Sequence, residues 1–183
     1  MRNNEKKEKS TSESELKTLS IEELLNKCED FFKEKNFSET IKYCDYIIKY
    51  YPEQTIVYYY KALSLLNLGD TEGAISAINE GIKNDPKYWL FYSTKGLILF
   101  RQGKLKEALK NLNKALNYEQ NVPTLVLAAV CSILLQKGSK VREYIKKASD
   151  INLEETIELY QIFVNSLLQL ELPKEAKEKI EKA

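Results

Sequence analysis

Residues 55–86 read TIVYYYKALSLLNLGDTEGAISAINEGIKNDP, and residues 89–120 read WLFYSTKGLILFRQGKLKEALKNLNKALNYEQ. Laid one above the other, they agree in residue class along their length. Tyr58, Ala62, Leu65, Gly69, Ala74, Ile78 and Gly81 return as Tyr92, Gly96, Leu99, Gly103, Ala108, Leu112 and Ala115, each 34 positions on. Pro52 and Pro86 are also 34 apart, and Gln120 stands where the next proline would fall. A copy with weaker marks comes first: Leu24, Cys28, Phe31, Thr40, Cys44 and Ile47. A period of this length is that of a helix–turn–helix unit, which cannot bury its apolar face alone and must stack on its own kind.

The residue types explain the marks. Small side chains let helix backbones approach closely, and large apolar ones three or four apart make the stripe that packs on the next helix. Glycine ends the first helix of a pair in a left-handed cap. Proline closes the second helix and opens the next unit. Ser20 with Glu23 reads as a capping box, and Asn152 with Glu155 is similar to one.

Further along, the pattern loosens. Gly138 follows Gly103 by 35, and only three positions separate it from Val141, against five from Gly103 to Ala108. The fourth turn is therefore expected to be two residues shorter. Its first helix starts near Pro123, with Leu127, Cys131 and Leu134; its second carries Val141, Ile145 and Ala148. A fifth copy carries Tyr160, Val164 and Leu167, then Ala176, Ile180 and Ala183 after Pro173. The expected organisation is a disordered polar tail over 1–18, then one array over 19–183. Its units lie at about 21–54, 55–88, 89–122, 123–151 and 152–183, giving ten helices and no strand.

Composition narrows the function classes. Among 183 residues, 28 Lys and Arg meet 27 Asp and Glu, a formal net charge of +1. That balance argues against a nucleic-acid partner or a basic membrane-surface segment. The absence of His removes the commonest general base and transition-metal ligand. No cofactor, metal or catalytic constellation is expected. The apolar run Leu125–Leu135 is about half of the roughly 20 residues a membrane span needs. The charged first 20 residues lack a signal-peptide core, so a cytoplasmic location is expected. Cys28, Cys44 and Cys131 take small or packing slots; a Cys28–Cys44 disulfide is conceivable, but position alone does not give its geometry.

These marks resemble the tetratricopeptide repeat, with its W-x2-L-G-x2-Y, A-x3-F and P pattern, over roughly residues 21–183. The resemblance implies an all-α fold, a right-handed α-solenoid of five helix–turn–helix repeats. It also implies that the first helices line a concave face. By position that face holds Ile56, Tyr59, Leu63 and Leu66, then Leu90, Ser93, Leu97 and Phe100, then Leu125, Ala128 and Ser132. Some relatives clamp the carboxylate end of chaperone peptides with Lys, Arg and Asn. The matching positions here include Leu25, Glu29, Tyr60, Leu90 and Thr94, which lack that charge. The resemblance therefore implies an interaction scaffold or adaptor, not an enzyme, holding an apolar peptide or amphipathic helix of another protein. Two other readings stand beside it: a subunit that self-associates through the same face, and a face already filled by its own side chains or by the N-terminal tail.

Overall fold

The computed structural model describes residues 13–169. Among the described residues there are ten helices and no strand. In order they are α1 (Glu13–Leu16), α2 (Ile21–Lys33), α3 (Phe37–Tyr50), α4 (Thr55–Asn67), α5 (Thr71–Asn84), α6 (Trp89–Arg101), α7 (Leu105–Leu116), α8 (Val122–Leu134), α9 (Gly138–Ile151) and α10 (Leu153–Gln169). The chain divides into two compact units, Met1–Pro86 and Lys87–Ala183. The helix expected after Pro173 lies outside the described residues.

In the first unit, α2 pairs with α3 and α4 with α5, while α3 joins the two hairpins by packing on α4. Leu24, Cys28, Ile47, Val57, Ala62, Ala74 and Ile78 are completely buried there. The Ser20 capping box is present: the Ser20 hydroxyl accepts from the Glu23 N–H at 3.2 Å, and the Glu23 carboxylate accepts from the Ser20 N–H at 2.8 Å. Part of the tail expected to be disordered is ordered. Residues 13–16 form α1, whose Leu16 is buried and whose Glu13 pairs with Lys49 on α3. Leu16 lies beside Lys42, Asp45, Tyr46 and Lys49 of α3, and the Tyr50 hydroxyl donates to Glu13 at 3.3 Å, so apolar and polar contacts together hold this single turn.

The turn inside each hairpin is built the same way four times. Lys35, Gly69, Gly103 and Gln136 all have positive φ, at 60°, 86°, 73° and 59°. In each turn the next residue's N–H reaches back five: Asn36 to Phe31, Asp70 to Leu65, Lys104 to Leu99 and Lys137 to Ser132, at 2.8 to 2.9 Å. The left-handed residue's own N–H reaches back three, Lys35 to Phe32 and likewise in the others. This is the Schellman arrangement that satisfies the last carbonyls of a helix. The fourth turn is therefore not shortened. Gln136, not Gly138, is its left-handed residue, and Gln136 to Val141 spans the same five positions as Gly103 to Ala108. Gly138 is instead the first residue of α9.

In the second unit, α8 is the inner helix. It packs against α7, α9 and α10 and touches α6. Eleven of its 13 residues are buried. A helix apolar on every side is stable only when neighbours surround it. Asn121 starts it by accepting the Thr124 N–H at 3.0 Å.

Candidate functional site

The helices are of two kinds. The second helices α3, α5, α7 and α9 are polar on the side away from the core; α7, LKEALKNLNKAL, buries Ala108, Leu109, Leu112, Ala115 and Leu116 and gives the rest largely to water. The first helices α4 and α6 have few polar residues. In α4, TIVYYYKALSLLN, Lys61 is the sole charge. One face buries Val57, Tyr58 and Ala62 in the hairpin. The other carries Ile56, Tyr59, Leu63 and Leu66, each only partly buried.

The three consecutive tyrosines separate as helical geometry requires. Tyr58 is buried, its hydroxyl donating to the Pro52 carbonyl at 3.2 Å. Tyr60 leans on Phe32 of α2, with ring centroids 5.1 Å apart. Tyr59 stays on the second face, where partial burial pushes its phenol above the ordinary range. Lys61 is spent on Asp45 of α3, at 2.7 Å. The face of α4 is thus apolar and aromatic, without an unpaired charge of its own.

In the second unit the expected residues divide. Leu90 is partly buried at the start of α6. Ser93 shares a hydrogen bond of 2.9 Å with the Thr124 hydroxyl, tying α6 to α8. Leu97 and Phe100 are partly buried and pack on the core around Leu112, Leu125 and Ala128. Leu125, Ala128 and Ser132 are 0% exposed, so they do not line an accessible surface. Leu125 borders a polar cleft of about 240 Å³ between α7, α8 and α9, and the Ser132 hydroxyl donates to the Ala128 carbonyl at 2.8 Å. The apolar face on this stretch is filled from within, because α10 and α6 both close on α8. The signal was present in the sequence: VPTLVLAAVCSIL has no polar side to give to water.

Among the described residues, no cluster of three or more His, Cys, Asp or Glu is placed to hold a metal ion. No described helix is long and apolar enough to cross a membrane.

The comparisons with known proteins agree with this architecture. The tetratricopeptide repeat model matches residues 36–88 and 59–124. The DnaJ homolog subfamily C member 3 homolog of Dictyostelium discoideum is 24% identical over 142 residues, which is 68% of this chain and 28% of that protein. The chain thus spans less than a third of that relative. A thermophilic tetratricopeptide protein of Thermus thermophilus superposes with a TM-score of 0.68 at 17% identity, over 85% of this chain and 87% of that one. MamA from Desulfovibrio magneticus RS-1, from residue 41 onward, gives 0.65 at 21% identity, over 87% and 90%. The family model thus shows that residues 36–124 are tetratricopeptide repeats, and the solved structures share the fold of helical hairpins over most of the chain.

Proposed function

We propose that this chain is a non-enzymatic interaction module that holds an apolar peptide or amphipathic helix of another protein against its first helices. The observation that carries the reading is the second apolar face of α4: Ile56, Tyr59, Leu63 and Leu66 form a row on a helix whose opposite side is already the core. A contiguous apolar patch at a surface marks an interaction site. Each large side chain covered by a partner contributes about 1.5–3 kcal/mol before the costs of association. Leu90 and the partly buried edges of Leu97 and Phe100 give α6 the same chemistry within the second unit. Leu125, Ala128 and Ser132 leave the proposed surface, being core.

Leu63→Asp is the test, because Leu63 is on the open row and its loss leaves the hairpin core intact. Partners captured from native lysate by the wild-type chain and identified by mass spectrometry are expected to be lost with Leu63→Asp. Capture should survive high salt, and helicity by circular dichroism should not change. Equal capture by both chains contradicts the reading. So does light scattering that shows a stable dimer of the wild type broken by Leu63→Asp, which assigns the row to self-association.

A further inference from the structure

We propose that Cys28 and Cys44 are a modification site: an oxidisable pair that closes an intramolecular disulfide stapling α2 to α3. The two Sγ atoms are 3.4 Å apart, both side chains are 0% exposed, and both thiols are free. The hairpin register brings them together. In the third repeat the equivalent positions are Gly96 and Leu112, and a Cβ added at Gly96 would stand 2.7 Å from the Leu112 side chain. In the second they are Ala62 and Ile78, both fully buried. Each hairpin thus fills one junction with a pair whose volumes compensate. The first hairpin alone, among these three, uses two sulfurs.

A disulfide needs its sulfurs about 2.0 Å apart, so the pair must close by roughly 1.4 Å, within the reach of small side-chain rotations and a slight approach of the helices. Contact with Cys28 and burial push the Cys44 thiol well above its ordinary range. That keeps it protonated at neutral pH and slow to react while the hairpin is closed. Oxidation accordingly follows transient opening of α2 from α3. With hydrogen peroxide as oxidant, one thiolate attacks a peroxide oxygen, giving a sulfenic acid and hydroxide. The second thiolate then attacks that sulfur and expels its hydroxide. Two thiols and one peroxide become one disulfide and two waters. The closed loop restricts the unfolded chain, so the oxidised hairpin is the more stable form.

The test treats the full chain with hydrogen peroxide, alkylates the remaining thiols under denaturing conditions, and maps unreduced peptides by mass spectrometry. The expected result is a monomer about 2 Da lighter before alkylation, with Cys28 linked to Cys44 and Cys131 recovered as an alkylated thiol. Its melting temperature should rise by about 5 °C or more and return on reduction. Cys28→Ala, which restores the residue type found at Ala62, should show no such rise. Recovery of Cys28 and Cys44 as separate thiols or sulfinic acids overturns the proposal. So does linkage to Cys131 or to a second chain.

Discussion

Position 136 carries a glutamine in a backbone conformation that its counterparts Gly69 and Gly103 give to glycine. A side chain there crowds the following carbonyl, at a cost of about 1–2 kcal/mol, which glycine avoids. Nothing from elsewhere in the fold lies within 4 Å of a Cβ built on Gly69 or Gly103, so the cost at these turns is local to the backbone. We expect Gln136→Gly to stabilise the chain by about 1 kcal/mol and Gly103→Ala to destabilise it by a similar amount, both read from urea denaturation midpoints. The same residue shows what the sequence hides. Gly138 lies two positions away and has the composition of a cap, so spacing by glycines alone selects the wrong residue. Only the backbone hydrogen bond from Lys137 to Ser132 fixes the register. The small-residue slots were legible because packing admits nothing larger; the left-handed slot was not, because its preference is a matter of a kilocalorie.

At the scale of paired helices, the contact between Gly96 on α6 and Leu112 on α7 sets how closely that hairpin closes. Gly96→Ala drives a methyl group into Leu112 and is expected to cost about 1–3 kcal/mol. Adding Leu112→Ile recreates the Ala62–Ile78 combination of the preceding repeat, and most of that loss should return. A double-mutant cycle on unfolding free energy measures the coupling. Helix type and order were readable from the 34-residue period, whereas Ile56, Tyr59, Leu63 and Leu66 were assigned to one face of α4 only through the family resemblance. The burial of α8 was legible in its apolar composition, but the register of its residues was not. Counting from Gly138 set Leu125, Ala128 and Ser132 beside Leu90, Ser93 and Leu97, whereas counting from Gln136 sets Leu125 and Ser132 beside Tyr92 and Leu99, which are buried in the preceding hairpin. The residues that do match Leu97 and Phe100 are Val130 and Ile133, and these pack on Tyr160 and Val164 of α10, a coverage by a later helix that an alignment of repeats does not register.

At the scale of the whole molecule, the shifts that folding imposes on a few carboxyls and thiols point away from neutrality. Hydrogen bonds from Ser20 hold the Glu23 carboxyl below its ordinary value of 4.5. Lys49 lowers Glu13, and Lys140 lowers Glu143. A carboxyl depressed by folding contributes stability above its unfolded value and loses it as pH falls through the folded one. Cys44 and Cys131 move the other way; burial pushes Cys131 up to about 12. The unfolded chain releases these thiol protons first, so stability declines as pH rises past the ordinary thiol value of 9.0. With no His in the sequence, thermal melts by circular dichroism should give a constant melting temperature between about pH 5.5 and 8. It should fall on either side, and Glu23→Gln should soften the acid limb.

The encasement of α8 also bears on how the second unit comes apart. Its amide protons are enclosed by α7, α9 and α10 together, so exchange into heavy water requires that this shell opens. Hydrogen exchange followed by mass spectrometry is expected to show the middle of the apolar helix as the slowest segment of the second unit, because α7 and α9 shield it as well.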